Sequence, residues 1–202
     1  MLHTLLATAL VSAGAHVNAI PVHTGLPLAS LDTAVAAPVA KRLVLNLQAG
    51  GTVTITGRQD KVVRIRVTES GRACGDCGVT LGEGADGIQV SSTRPATHGR
   101  LNFEIEVPEQ FDLDLSSAGG AVRIEGVAGT IKGTTASGAL ELRRLSGSVD
   151  LETRRGDVTL RESFVSGRVH TLGGRVLLED VSGTVAGSSG KGRVIERRVQ
   201  RS

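Results

Sequence analysis

Glycine recurs every eighteen residues in the C-terminal half of this chain, at Gly120, Gly138, Gly156, Gly174 and Gly192. The first four each begin a short alternating segment, as in Gly-Ala-Val-Arg-Ile and Gly-Ala-Leu-Glu-Leu. A period this short lies below that of helical repeats and within the range of leucine-rich and β-helix arrays. Because the asparagine and the helical half of the leucine-rich pattern are absent, the repeat predicts stacked β-coils that hydrogen-bond across about 4.8 Å.

A second set of glycines lies about midway between the first, at Gly129, Gly147, Gly167 and Gly183. Each coil is therefore predicted to hold two short strands, each entered through a glycine. Between Gly156 and Gly174 the glycine spacing predicts that the first half of the coil gains two residues and the second half loses two. The total length of the coil stays fixed, as stacking requires.

Alternation within these segments predicts aliphatic stacks inside the coils and polar residues outside. The inward positions form four stacks: Val122, Leu140, Val158 and Val176; Ile124, Leu142, Leu160 and Leu178; Ile131, Val149, Val169 and Val185; and Val127, Leu145, Val165 and Val181 at a corner. The outward rows are Arg123, Glu141 and Thr159 on one strand, and Lys132, Asp150 and His170 on the other. The predicted fold is all-β, a parallel β-solenoid with two short strands per eighteen-residue coil, preceded by an irregular β-rich capping region.

The composition suits thin aliphatic layers better than a thick globular core. The 202 residues include no Trp, no Tyr, three Phe and 27 Gly. High glycine content also occurs in disordered chains, but the 40% of hydrophobic residues and their regular phase argue against disorder after residue 42.

The N-terminus resembles a secretory signal peptide. Residues 1–19 are apolar, contain no acidic residue, and end in the small-residue pattern Val17-Asn18-Ala19. His3 stands where Lys or Arg is usual, and a buried N-terminal helix is the alternative. The apolar run is too short and too interrupted to span a membrane. We therefore expect an exported protein (periplasmic, envelope-associated or secreted) without a transmembrane span in the mature chain.

Composition divides the remainder into four parts. Residues 20–40 are predicted to be a flexible lead-in, residues 41–116 a β-rich portion outside the eighteen-residue phase, residues 117–196 the solenoid, and residues 197–202 a basic tail. The β-rich portion is interpreted as a layer that caps the solenoid and covers its open edge. The alternative is a separate small β-sandwich that ends near Pro108.

The charge of the chain is concentrated at its C-terminal end. The net charge is +3, and from Lys191 onward five basic residues stand against the single acidic residue Glu196. A basic segment can bind nucleic acid, anionic lipid or acidic polysaccharide. A solvated cap is the favoured interpretation, because terminal repeats need a polar end and Glu196 falls where an aliphatic stack would otherwise continue. No nucleic-acid partner is expected.

Cys74 and Cys77 are the only cysteines, in the sequence Cys-Gly-Asp-Cys. In an exported protein a disulfide that closes a tight loop is the favoured state. A redox pair would need a helix N-terminus, which the surrounding glycines disfavour. The spacing also fits half of a zinc site or a free reduced pair, although the chain lacks a second cysteine pair to complete four zinc ligands.

The segment from Phe103 to Gly129, which begins Phe-Glu-Ile-Glu-Val-Pro, resembles a large bacterial family together with the repeated Ser-Gly-x-Val units that follow it. That family is named putative adhesin or β-strand repeat-containing protein, a domain of unknown function, and the resemblance covers roughly residues 41–196. It implies a parallel β-solenoid, often exported or tethered to a membrane. It brings no catalytic residues, and this chain departs from it in its cysteine loop and in having no evident membrane anchor.

No motif in the sequence predicts catalysis, a metal site or a cofactor. The outward ladder Glu125, Arg143, Arg161, Glu179 and Arg197 predicts ion pairs between coils, and His98 and His170 have no nucleophile placed beside them by a motif. We therefore expect a non-enzymatic envelope or surface protein that binds a partner protein or a glycan. The alternative is a carbohydrate-active enzyme with a carboxylate site on a β-helix, although the aromatic platforms usual for sugars are missing.

Overall fold

The computed structural model describes residues 31–37, 41–48, 50–70, 72–73, 77–84, 87–93 and 100–201. These residues form β-strands joined by turns and bends, and contain no helix. The strands are β1 (Leu31–Ala36), β2 (Arg42–Leu47), β3 (Thr52–Arg58), β4 (Val62–Glu69), β5 (Arg72–Ala73), β6 (Val79–Gly84), β7 (Gly87–Ser92), β8 (Leu101–Pro108), β9 (Asp112–Ser117), β10 (Val122–Glu125), β11 (Ala128–Thr135), β12 (Leu140–Arg143), β13 (Ser146–Thr153), β14 (Val158–Thr171), β15 (Val176–Ser182), β16 (Val185–Ser189) and β17 (Val194–Gln200). The all-β class is confirmed.

The first strand of each repeat pairs in parallel with the strand eighteen residues later, along β10, β12, the first half of β14, β15 and β17. Val122 lies opposite Leu140, and Leu142 lies opposite Leu160. The first two predicted stacks are confirmed, because all their members are buried and meet in consecutive strands. Alternation places these side chains inside because the pleat sends every second residue to the same face.

The second strand of each repeat follows the same step, along β9, β11, β13, the second half of β14 and β16. Here two predicted stacks are each wrong at one residue. Gly167 occupies the position between Val149 and Val185 that the glycine spacing predicts for Val169. Ser163 lies opposite Val181, in the corner position predicted for Val165, and its hydroxyl accepts a hydrogen bond from the Leu145 N–H.

The physical reason is that large and small side chains have exchanged places between neighbouring inward positions along β14. Val165 lies opposite Gly147, and Val169 lies opposite Leu151, and both valines are buried on either side of Gly167. The core volume is conserved although the glycine has moved two residues along the strand. The two-residue gain and loss predicted from the glycine spacing is therefore wrong, and the eighteen-residue step continues unbroken.

The eighteen-residue glycines form a column in which backbones touch. A Cβ on Gly138 would lie 1.9 Å from the Gly120 carbonyl oxygen, and a Cβ on Gly156 would lie 1.9 Å from that of Gly138. The column extends back into the first half of the chain, because a Cβ on Gly120 would lie 1.6 Å from the Gly51 oxygen. The period is thus imposed by close packing of the turns rather than by flexibility alone.

Beside the glycine column runs a column of buried hydroxyls, formed by Ser117, Thr135, Thr153 and Thr171. The Thr135 hydroxyl donates to the Thr153 hydroxyl at 2.9 Å. The Thr171 hydroxyl donates to the Gly156 carbonyl and accepts from the Gly174 N–H. These side chains satisfy backbone groups that the tight glycine turns leave without a strand partner.

A further set of equivalent positions, one in each repeat, has a left-handed backbone, which no recurring residue type in the sequence predicts. Gly126 has a φ of 70°, and Arg144, Glu162, Asp180 and Arg198 follow it at eighteen-residue steps with φ between 50° and 54°. Gly126 and Arg144 lie between the first and second strands of their repeats, whereas Glu162, Asp180 and Arg198 lie within β14, β15 and β17. Because charged residues replace glycine after the first repeat, composition does not mark the position.

Part of the region from 41 to 116 pairs in parallel with the repeats, although its residues do not follow the eighteen-residue spacing. Leu43 on β2 lies opposite Leu113 on β9, and Val53 on β3 lies opposite Val122 on β10. The other edges of β2 and β3 pair in parallel with β7 and β8. One cluster of buried side chains runs through both regions, so the described residues do not form a separate sandwich ending at Pro108.

The order of these strands in space differs from their order in the chain. The strands β2 and β3 lie between β7 and β8 on one side and β9 and β10 on the other. After β8 the chain crosses back past β3, where the Glu109 N–H donates to the Arg58 carbonyl and the Phe111 N–H donates to the Ala128 carbonyl. A simple linear repeat cannot predict this crossover.

The remaining strands make the pairing mixed rather than purely parallel. β4 pairs antiparallel with β8, β6 with β7, β1 with β4 and β5 with β4. β4 and β6 thus pair with the edges of β8 and β7 that face away from the repeats. The predicted flexible lead-in over residues 20–40 is wrong for β1, which is a paired strand, and residues 20–30 lie outside the described part.

The C-terminal end is also more ordered than predicted. β17 pairs in parallel with β15 through Gln200, so the predicted basic tail at 197–202 is a strand over most of its length. Glu196 lies opposite Leu178, as the prediction that it ends the second stack requires. Its charge ends the aliphatic column at the last repeat.

Candidate functional site

The outward side chains of β9, β11, β13, the second half of β14 and β16 form a surface that we call the polar face. Because the strands are in register, equivalent side chains stand in rows that run across the strands, with about 4.8 Å between strands. Its rows include Thr130, Ser148 and Ser166; Asp114, Lys132, Asp150, Arg168 and Ala186; and Ser116, Thr134, Glu152, His170 and Ser188. The face therefore presents regularly spaced hydroxyls and charges.

The predicted row of Lys132, Asp150 and His170 is wrong at its last member. Arg168 lies opposite Asp150, and His170 lies opposite Glu152. The Nδ1 atom of His170 is 2.7 Å from the Ser188 hydroxyl oxygen. No sequence motif places a serine beside this histidine, because the two residues meet only through the strand register; His98 lies outside the described residues.

A shallow groove follows one border of the polar face. Its volume is about 390 Å³, and its polar lining has two amides, four hydroxyls, a carboxylate and a guanidinium: Asn46, Gln48, Ser116, Ser117, Thr134, Thr135, Glu152 and Arg154. We call it the amide–hydroxyl groove. Amides and hydroxyls both donate and accept hydrogen bonds, so the groove can match a ligand rich in hydroxyl groups.

The carboxylates that could have formed a glycosidase pair are held by arginines of neighbouring repeats. Glu179 Oε2 is 3.0 Å from Arg161 Nε, and Asp150 Oδ1 is 2.7 Å from Arg168 Nε. Glu125 pairs with Arg144, and Glu141 pairs with Arg123. The predicted ion pairing between coils is confirmed, although Arg143 of the predicted ladder pairs with Glu162, at 2.7 Å.

These contacts lower the pKa of several carboxyl groups. The Arg168 side chain, through its hydrogen bond, holds the pKa of Asp150 below its usual value. The Arg175 backbone N–H, followed by the Arg175 side chain, does the same to the pKa of Asp157. A lowered pKa favours the ionised form, so these carboxyl groups stay ionised and are poor general acids.

Neutralising the paired carboxylates one at a time is expected to have little effect on stability. Glu125→Gln, Glu141→Gln, Asp150→Asn and Glu179→Gln should each lower the melting temperature by no more than about 4 °C, because exposed ion pairs contribute little. Differential scanning calorimetry measures the shift. A loss much larger than this in one variant would indicate that its carboxylate supports more than a surface pair.

Stability is expected to fall in acid. Asp60, Asp150, Asp157, Glu162 and Asp180 all have a lowered pKa in the folded state. The stabilisation they give is complete above their unfolded pKa of about 4 and is lost as the pH falls through the lower folded values. The melting temperature should therefore be flat from pH 7 to 5 and drop below about pH 4. A matched Asp157→Asn variant should show a shallower drop, and an identical acid profile would contradict the role given to this carboxylate.

The predicted disulfide cannot be followed in full, because Cys74 lies outside the described residues. Cys77 is buried, beside β6. We expect the exported protein to carry the Cys74–Cys77 bond and to gain little stability from it, because so short a loop has little closure entropy to lose. Alkylation without reduction followed by mass spectrometry should find no modified cysteine, whereas two alkylated thiols in fresh protein would contradict the prediction.

The described residues contain no group of three or more His, Cys, Asp or Glu arranged to hold a metal ion. Within the same part of the chain no helix has the length and hydropathy to cross a membrane. The expectations of no catalytic residue, metal or cofactor, and of no transmembrane span in the mature chain, stay predictions.

Comparison of the sequence with known protein families and with curated proteins finds no match. Among solved structures the chain is similar to a putative cell adhesion protein from Clostridium sporogenes ATCC 15579. The two share 12% sequence identity with a TM-score of 0.40, over 83% of this chain and 99% of the other.

Proposed function

We propose that this chain is a non-enzymatic exported protein of the bacterial envelope or surface, an adhesin-like β-solenoid that binds a partner protein or a glycan. The repeats of residues 117–196 form its eighteen-residue coils, with the N-terminal strands as a cap. The observation that carries the proposal is the polar face, where five parallel strands in register present hydroxyls and charges in straight rows. A rigid, regular and polar surface suits recognition of an extended partner.

The environment of the acidic side chains supports binding over catalysis. Of the four carboxylates considered for a glycosidase pair, each lies within ion-pair distance of an arginine in a neighbouring repeat. A general acid for glycoside cleavage needs a raised pKa, whereas the pKa of Asp150 is lowered by Arg168. A carbohydrate-active enzyme is the second candidate, which an assay must exclude.

Purified mature protein should be incubated with bacterial cell-wall glycans and with envelope proteins, with both retention and new reducing ends measured. We expect retention without new reducing ends. Thr134→Glu, on the polar face, should weaken retention, whereas the matched Thr159→Glu, on the first strand of its repeat, should not. Glycan cleavage that vanishes in Glu125→Gln, Glu141→Gln, Asp150→Asn or Glu179→Gln would place the protein among enzymes, and equal retention of both threonine variants would contradict the proposed face.

Export is tested separately, because it rests on the N-terminal residues alone. Expression of the full chain in a bacterial host should yield a periplasmic or secreted product that begins at Ile20, measured by intact mass. A cytoplasmic product that retains residues 1–19 would contradict the predicted localisation.

A further inference from the structure

The arginines and lysines of the repeats differ in whether a carboxylate of a neighbouring repeat pairs with them. On the strands of the repeats, arginines such as Arg123, Arg143 and Arg168 each lie within ion-pair distance of a carboxylate of a neighbouring repeat. Along the glycine turns, in contrast, Arg154, Arg155, Lys191 and Arg193 are exposed and have no carboxylate within that distance among the described residues. We call these four side chains the turn cations. Their charge is available to an external anion.

The turn cations are spaced by the repeat, and one of them, Arg154, lines the amide–hydroxyl groove. Arg155 and Lys191 occupy equivalent turns two repeats apart, a separation of about 10 Å for in-register strands. Arg154 lines the groove together with Thr134 and Glu152. In the turn after Arg154 lies Leu172, 46% exposed, which offers an apolar surface between the charged turns.

We propose that the turn cations and the amide–hydroxyl groove together bind a linear acidic polysaccharide, a polyuronate, whose chain runs across the stacked repeats. This inference rests on the proposed binding function and names its ligand class. Guanidinium groups match carboxylates through paired N–H donors, and the groove amides and hydroxyls match sugar hydroxyls. The exposed Leu172 contacts the C–H face of a sugar ring.

Two further classes of anionic ligand fit these observations less well. Single-stranded nucleic acid is held largely by stacking of bases on aromatic side chains, and this chain has no Trp or Tyr. A lipid surface needs several apolar side chains inserted beside the cations, and of the exposed large hydrophobic residues in the described part only Leu172 and Val194 lie near the turn cations. A row of hydrogen-bonding groups beside a row of cations is the chemistry that recognises an acidic sugar chain.

Polygalacturonate is the probe, and its fully methyl-esterified form is the matched neutral polymer with the same backbone. Binding is measured by isothermal titration calorimetry on mature protein. We expect polygalacturonate to bind and the ester to bind at least about tenfold more weakly, because charge-assisted hydrogen bonds are lost. Arg154→Gln with Arg155→Gln should reduce affinity for polygalacturonate by about tenfold or more.

The control double variant is Arg123→Gln with Arg143→Gln, which removes the same charge from arginines that are already paired and lie outside the polar face. It should change affinity less than about twofold if the site, rather than net charge, binds the polymer. An equal loss in both double variants, equal binding of the ester, or binding of phosphatidylglycerol vesicles through Arg154 and Arg155 would overturn the proposal. Retention on cell-wall glycans without binding of polygalacturonate would overturn this inference alone, whereas loss of both would overturn the proposed function as well.

Discussion

Leu142→Asp is expected to unfold the repeat region. Leu142 is buried, with Ile124 opposite it on one neighbouring strand and Leu160 opposite it on the other. A carboxylate at this position has no cation to pair with inside the aliphatic column. The substitution should therefore destabilise the fold by more than about 3 kcal/mol, out of a total that is about 5–15 kcal/mol for natural domains.

The matched control is Leu177→Asp, which makes the same substitution at an outward position. Leu177 lies opposite Thr159 and is only partly buried. Chemical denaturation followed by circular dichroism should show a cooperative transition for Leu177→Asp and little or none for Leu142→Asp. A soluble Leu142→Asp protein with an unchanged melting temperature would contradict the stacked-repeat structure.

Gly138→Ala is expected to have the second large effect, although it adds a single carbon atom. The new Cβ would lie 1.9 Å from the Gly120 carbonyl oxygen, and the residue has a φ of 113°, which alanine rarely adopts. The turn must therefore move away from its neighbour, and the hydrogen bond from the Gly138 N–H to the Arg155 carbonyl weakens with it. We expect a loss of roughly 3 kcal/mol or more from strain and disturbed packing.

Gly82→Ala is the control for this substitution, because nothing lies within 4 Å of a Cβ at that position. Alanine is expected to be neutral or slightly stabilising there, since it reduces the entropy of the unfolded chain. Urea denaturation of the two variants measures the difference. Equal stability of Gly138→Ala and the parent protein would contradict the close contact between the glycine turns.

The sequence contains most of the information that defines the repeats. The alternation of Val122, Ile124, Leu140 and Leu142 and the spacing of the glycines predict which residues are inside and which strands meet, because both follow from the pleat and from the strand spacing. The pairing of charges between repeats follows from the same step. For this part of the chain, the local alternation of residues therefore also predicts the contacts between strands that are distant in the sequence.

The rest of the fold could not be predicted from local pattern. It depends on exchanges of large and small side chains between neighbouring inward positions, or on contacts between segments that are distant in the sequence. Glycine spacing alone aligns glycine with glycine, whereas Val165 and Val169 fill the space beside Gly167. The left-handed positions at Arg144 and Glu162 lack glycine altogether. The placement of β2 and β3 between β7–β8 and β9–β10 depends on a crossover that leaves no periodic trace.

The candidate site is likewise predictable from the sequence only in part. The outward polarity of the second strands is predictable, and so are Lys132 and Asp150 as neighbours. The contact of His170 with Ser188 depends on the corrected register of β14, and the groove combines Asn46 of the first half with Glu152 of the repeats. A surface assembled from segments a hundred residues apart has no motif in the sequence.

The register of β14 tests the stacked-repeat structure most directly, because glycine alignment and the structure assign different neighbours to the same residues. In a methyl-labelled sample, nuclear Overhauser contacts should join Leu151 to Val169 and the Val149 methyl groups to the backbone of Gly167, as the parallel pairing of β13 and β14 requires. Direct cross-strand pairing of Val149 with Val169, a twenty-residue step, would contradict the continuous eighteen-residue stack on which the polar face and the proposed ligand site depend.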